Sequence, residues 1–447
     1  MSTIELGEMP SSHDDRPRPA GSTGVDRRLV RQVTLGLIAV LCVVGLTGSE
    51  VPRARGVRPL WSMPIEQAQG TALSRDGVFV SRTADGSTTI TAHDLRTGAT
   101  RWQRDFDGTI GYLQPAEDAG LLLVPYQGHL VKLPSANDGS AFHAEFHSQT
   151  LAVSAATGAE LWRTAGEPQT VYGDTALLTE YTPKADLTRM RLVRLSDHST
   201  LWSRNTPGVT NFTVIPTGDH PDKIITATDA GDVKVFAYAS GSLVSAARIP
   251  WVEPRPDEGY FNDLSGTGDV LVVNRSRAEV FDMSVYRMAT MAELWRADKT
   301  NGYAFPCGSA LCLNDGRGLV AYDPTTGARR WRVEGAANAW QVSPDRLVVS
   351  EGTDSGRQLL MDAVTGRPVG AATDGTLAWN GPQDKSVIVL RPTQSPPDRT
   401  AVVRWDLETG RQWMLGTITP VGGPPCSALD GYLACYRGEE YEVLAVA

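Results

Sequence analysis

The chain has 447 residues, a formal net charge of −9, 41% hydrophobic and 21% charged residues, so it can bury a large core. Acidic and basic residues are interspersed and no basic stripe tracks along any segment, which sets nucleic acid aside as a ligand. Periodicity of the apolar residues then decides the class of fold.

Residues 1–28 are rich in Pro, Ser, Gly, Asp and Arg and have little to bury, so they read as a disordered cytoplasmic tail. Residues 29–49 follow, almost wholly apolar from Val33 to Gly48, with Arg27, Arg28 and Arg31 just before or at the start. That length predicts one membrane-spanning helix, and the arginines place the N-terminus inside. A cleaved secretory signal is the alternative, with Gly45, Thr47 and Ser49 as a loose match to a small-residue site. A lipoprotein signal is a poor fit: Leu41 precedes Cys42, which reads as an apolar filler of the helix. Residues 50–57 form a linker, and 58–447 are expected outside the cytoplasmic membrane.

From there one frame recurs. DLRTGATRW ends at Trp102, SAATGAELW at Trp162 and DPTTGARRW at Trp331. Gly98, Gly158, His198, Gly241, Met291, Gly327, Gly366 and Gly410 hold the same place in successive units, 36 to 60 residues apart. A period of this size indicates a propeller or a solenoid. Short runs such as GVFVSR and TTITAHD precede each turn and read as antiparallel strands.

In this frame the Asp hydrogen-bonds the turn it opens and the Gly supplies a left-handed backbone. The predicted element is the hairpin between the third and fourth strands of a four-stranded blade. Trp61, Trp102, Trp162, Trp202, Trp295 and Trp331 fall on outer strands, where a large flat side chain covers the seam to the next sheet. Ser245, Gly370 and Met414 stand where later units should have Trp. RPLWSM at the N-terminal end has a Trp but no inner strands, whereas CSALDGYLACYRGEEYEVLAVA has inner strands but no turn. The first is expected to complete the blade of the second and close the ring. Nine units are counted; eight blades is the expected number, with nine held open.

Cys307, Cys312, Cys426 and Cys435 lie on the exported side, and their positions at the starts of units predict two bonds, Cys307 with Cys312 and Cys426 with Cys435. The ladder as a whole resembles the pyrroloquinoline-quinone-like β-propeller repeat over roughly Arg58 to Ala447. One branch of that family, the quinoprotein dehydrogenases, implies bound quinone, calcium and often a disulfide between adjacent cysteines, and no two cysteines here are adjacent. Another branch, similar to outer-membrane protein assembly factor B, implies a non-catalytic scaffold that begins with a lone outer strand.

The sharpest polar cluster lies in the longest gap between turns, HLVKLPSANDGSAFHAEFHSQ. His143, Glu145 and His147 share one face of an extended strand and His129 could join them, a donor set open to Zn²⁺ or another transition metal. A solvated rim insertion is the plainer reading. Asp94, Asp323, Asp362 and Asp406 recur at one turn position and are turn-formers. The gap at 129–147 and WVEPRPDEGYFND from Trp251 are the candidate binding surfaces, joining aromatic anchors to charge. The expected function is a membrane-anchored, non-catalytic, cofactor-free module binding a protein, peptide or envelope ligand; a divergent quinoprotein dehydrogenase using the quinone and calcium is the alternative.

Overall fold

The chain divides into Met1–Ala54 and Arg55–Ala447. The computed structural model describes residues 56–64, 68–134, 141–255, 258–278, 280–352, 356–378, 385–421, 426–429 and 431–446. The expected tail and membrane-spanning segment lie outside these residues. Among the described residues no helix is long and apolar enough to cross a membrane.

The described chain is a β-propeller of antiparallel four-stranded sheets, and in all but one of its sheets the strands pair in chain order. These sheets span Ala68–Asp107, Gln114–Ala165, Tyr260–Thr300, Phe305–Glu334, Ala336–Asp374 and Thr376–Ile418. Between Glu167 and Arg248 lies a seven-stranded sheet. Its 18-residue strand Thr200–Thr217 pairs with Leu187–Arg194 through its first half and with His220–Thr228 through its second. It is the outer strand of one unit and the inner strand of the next.

The remaining sheet joins the two ends of the repeat region. Val57–Pro64 pairs with Glu440–Val446, Val57 opposite Val446 and Pro64 opposite Glu440. Apolar clusters fill the spaces between successive sheets, because the second strands bury side chains on both faces, as along Gly77–Ser81 and Val270–Ser276. Val78 and Val80 of the first sheet pack with Ala434, Tyr441 and Val443 of the joined one. Both disulfides are formed, Cys307–Cys312 and Cys426–Cys435. Each links the first and second strands of its sheet, where Ser427 faces Ala434 and Cys307 faces Ala310.

The repeated turn has one geometry. Asp323 Oδ1 accepts the backbone N–H groups of Thr325 and Thr326 at 2.9 and 2.8 Å and the Thr326 hydroxyl at 3.0 Å; Asp94, Asp362 and Asp406 do the same for Thr97, Thr365 and Thr409. The fifth residue is left-handed throughout, including His198 at φ 50° and Met291 at φ 55°. Those two positions keep the turn at the steric cost that Gly avoids.

Each Trp reaches into the turn of the next unit. The indole N–H of Trp102 donates to the Ala155 carbonyl at 2.9 Å, Trp162 to Leu195 at 3.2 Å, Trp202 to Tyr238 at 2.8 Å, Trp295 to Pro324 at 2.9 Å and Trp331 to Ala363 at 3.1 Å. Trp61 does the same to Leu95, at 3.1 Å, from the joined sheet into the first. The acceptor is always the second residue of the turn. Irregular units keep the bond with other donors: Ser245 Oγ donates to the Met288 carbonyl and Arg346 Nε to that of Leu407, the latter at 2.8 Å. Where Gly370 replaces Trp, its backbone lies directly against Gly410, and Trp405 is fully buried in the adjoining cluster. Beyond Met414 stands the joined sheet, in which no repeated turn links Glu440–Val446 to Val57–Pro64.

The turn Gly therefore has two reasons to be Gly. A Cβ on Gly98 would lie 2.6 Å from the Trp61 ring, and one on Gly327 2.7 Å from Trp295. Gly366→Ala is expected to lower stability by roughly 2 kcal/mol or more, and by only about 1–2 kcal/mol in a Trp331→Ala background, where the left-handed backbone alone opposes it. Equal losses in the two backgrounds, by denaturant titration, would show that the ring contact is not the reason.

Candidate functional site

Strand direction alternates in each unit, so its loops sort between two rims. The repeated turns and the connections between first and second strands emerge at one rim. Connections between second and third strands, and those leading to the next unit, emerge at the other. Both interruptions of the frame lie on that second rim.

The larger is a hairpin of two 14-residue strands, Leu121–Pro134 and Ala141–Ser154. Glu145 lies opposite Leu130, and His147 opposite Gly128. His147 is 2% exposed. Its Nε2 is 3.4 Å from Glu145 Oε1 and its Nδ1 3.5 Å from Glu167 Oε1. Two glycines make this possible: a Cβ on Gly111 would meet the imidazole, and one on Gly128 the Glu145 carboxylate. Glu167, 8% exposed, also accepts the His147 backbone N–H at 3.1 Å. The Tyr112 ring stands edge-on to the imidazole at 6.4 Å, and its hydroxyl donates to the Pro168 carbonyl at 2.7 Å. Burial, and then the Glu167 carboxylate, push the Tyr112 phenol above its ordinary value, so it stays protonated and a donor.

The expected metal set is rearranged. His143 is exposed and lies opposite Lys132, whose positive charge disfavours a cation. His129 faces Phe146, with ring centroids 6.2 Å apart. Strand alternation puts it on the opposite face from Glu145 and His147, which corrects its expected place as a further ligand. Glu145 and Glu167 approach different nitrogens of one ring, so a single ion cannot use both carboxylates with that imidazole. Among the described residues no group of three or more His, Cys, Asp or Glu is placed to hold a metal ion. Sequence reasoning missed Glu167, the first strand residue of the next sheet, and Tyr112, in the connection before this one, 20 and 35 positions away from His147. The signals were Gly111 and Gly128, small residues beside a large polar one.

The second interruption is tied down by Asn262, whose side chain accepts the Val252 N–H at 3.0 Å and donates to the Val252 carbonyl at 2.8 Å. Arg255 lies over the Tyr260 ring at 4.1 Å and pairs with Glu258 at 2.7 Å. Behind it Tyr303 packs on Phe261 and Phe281, with centroids 5.6 and 5.1 Å apart. On the turn rim, a cavity of about 260 Å³ lies among Thr267, Asp269, Arg287, Leu294, Ser309 and Pro324, below the range of small-molecule sites.

The turn carboxylates are held in the ionised form. Arg330, with the Thr326 N–H and hydroxyl, brings Asp323 down to about 2; Asp94, Asp362 and Asp406 are lowered chiefly by their turn threonines. Such groups are poor general bases at neutral pH.

The family model described as outer membrane protein assembly factor BamB matches residues 15–104 and 86–267, together more than half of the chain. The BamB structure from Moraxella catarrhalis is 11% identical with a TM-score of 0.41, covering 87% of this chain and 99% of that one. The computationally designed Ika8 protein is 14% identical with a TM-score of 0.41, covering 74% and 96%. A structure titled as the eukaryotic initiation factor is 11% identical with a TM-score of 0.50, covering 81% and 90%. No curated protein matches the chain in sequence. Repeat, seam and turn define a β-propeller with pyrroloquinoline-quinone-like repeats. The chain belongs to the family of outer membrane protein assembly factor BamB.

Two outcomes follow from this geometry. Because the folded pKa values of the turn aspartates are depressed, their contribution to stability is present above about pH 4 and lost as pH falls toward 2; acid unfolding of Asp323→Asn should begin from lower stability and depend less on pH in that window. Calorimetric titration of the protein with Zn²⁺ should give no saturable heat that His143→Ala removes, and a saturable site lost in that variant would restore the metal reading.

Proposed function

We propose that this protein is a membrane-anchored, extracytoplasmic scaffold that docks a protein, peptide or envelope ligand on the rim opposite its repeated turns. The observation that carries the reading is the segregation of the frame's interruptions. The turn rim is committed to structure, since the second carbonyl of each turn is bonded from the preceding unit. The other rim carries the extended hairpin and the clamped Trp251–Tyr260 connection. The apolar segment at 29–49 supports the anchor, and the two disulfides suit an oxidising compartment.

A closed ring of nine four-stranded units is part of the proposal. Nine apolar clusters support it, each between consecutive units when the strand Thr200–Thr217 is counted in two of them. The Trp61 bond to Leu95 and the 2.6 Å contact of the Thr71 and Tyr436 hydroxyls support closure. These favour nine over the expected eight.

The quinone-enzyme reading gains no support from the sulfur positions. All four half-cystines are buried in seam clusters and pin strand hairpins.

Photo-crosslinking residues at Tyr112, Leu130 and Val280 sample the docking rim, and residues at Leu161, Leu243 and Val364 the turn rim; all six are exposed. In native envelopes the first set should yield a discrete adduct and the second none. Adducts from the turn rim alone would reverse the assignment, and turnover of an alcohol or sugar with quinone and Ca²⁺ would replace it.

A further inference from the structure

The hairpin Leu121–Pro134/Ala141–Ser154 outruns its own sheet, and its two edges are not alike. On the inner side Gln114–Ala116 pairs only with Leu121–Leu123. The last contacts there are the Gly111 N–H to the Pro125 carbonyl at 3.2 Å and the Ile110–Tyr126 bridge. On the outer side the ladder ends at Gln149–Ala165, after which the Gly166 N–H donates to the Ser148 carbonyl at 2.8 Å and Glu167 takes the His147 N–H. Glu167 thus caps the outer edge at His147 with a side-chain acceptor; from Phe146 to His143 that edge has no backbone partner among the described residues either. The inner edge has no such cap: from Gly128 to Lys132 the strand pairs with Phe146–His143 and Gly128 with His147, and no partner lies along its other side among the described residues.

An isolated two-stranded ribbon is marginal in water, and an open strand edge is a template for another strand. This ribbon is held in place from beneath. The seat of His147 between two carboxylates fixes its base, and Phe146 packs edge-on against Tyr181 of the next sheet with centroids 4.9 Å apart. The edge is therefore presented by a supported element. Leu130, on that edge, is 68% exposed, the highest value of any large hydrophobic side chain among the described residues. Gln127, left-handed at φ 59°, marks the start of the open stretch, and Lys132 and Pro134 mark its far end. Lysine and proline are residues that blunt edges, and none stands between Gly128 and Val131.

We propose that the docked partner contributes an extended polypeptide segment that adds to Gly128–Lys132 as a third strand of this ribbon, with an apolar side chain laid against Leu130. Main-chain pairing supplies the attachment and the Leu130 contact sets the register. This deepens the docking-rim reading and rests on it.

The test uses the full chain in detergent and a synthetic peptide, AFHAEFHSQ, the sequence of residues 141–149. Its side chains already suit this strand, as these residues pair with it along its other edge. Hydrogen exchange at Gly128–Lys132 should slow by about tenfold with bound peptide, while amides on the turn rim are unchanged. A peptide with alternate amides N-methylated should give no protection, and Leu130→Asp, at an exposed position, should weaken binding about tenfold. Absence of protection up to about 1 mM peptide, or equal protection by the N-methylated peptide, overturns strand addition. If crosslinks from Tyr112 and Val280 persist in that case, the docking rim stands and only the strand mode falls; if they are absent too, both fall.

Discussion

Each repeated turn leaves the carbonyl of its second residue facing the neighbouring sheet, and the fold depends on filling that acceptor from the preceding unit. A buried carbonyl without a partner costs about 1–3 kcal/mol. Six units meet the demand with a Trp, which also covers the seam and lies on the turn Gly in five of them and beside His198 in the sixth. Ser245 and Arg346 meet it in the two units that lost the Trp. The conserved quantity along this chain is thus the bond, not the residue. Apparent degeneracy in the repeat is a change of donor at a fixed acceptor.

That constraint also divides the molecule structurally. A rim whose backbone is pinned unit by unit can vary little in shape. Eight of the eleven exposed large hydrophobics among the described residues lie there, Leu161, Tyr172, Leu201, Leu243, Val244, Val364, Trp413 and Met414, spread one or two to a unit as single exposed apolar residues commonly are. The opposite rim has no bond repeated in every unit: its connections enter the seams one by one, as Ile110 and Leu113 do in one and Ala304 in another. Length accumulates there without disturbing the core, which is why a hairpin can outgrow its sheet and a connection can carry Arg255, Glu258 and Tyr260 on its surface.

The polar cluster at His147 belongs to this picture as a foundation. Its two carboxylates come from different strands, one of them in the next sheet, so they join the extended hairpin to its neighbour. Glu167 serves twice, facing the imidazole with one oxygen and the backbone N–H with the other. A residue set that looked like metal ligands in sequence is better described as the base on which the extended hairpin stands.

The sequence by itself determined the propeller, the blade hairpins, both disulfides and the recurrence of turn and Trp, because each rests on local chemistry. Asx turns, left-handed glycines and alternating strands are encoded within a few residues of one another. The joined sheet was legible too, since Trp61 and the C-terminal strands each lacked what the other had. Only the tertiary structure decided which carbonyl each Trp meets, that Ser245 and Arg346 replace missing Trp residues, and that one strand serves two units. It also decided that His129 lies on the opposite face from His147, and that Glu167 and Tyr112 complete the cluster. Those depend on register and on packing between strands far apart in sequence, and a one-residue step in register exchanges the faces of a strand.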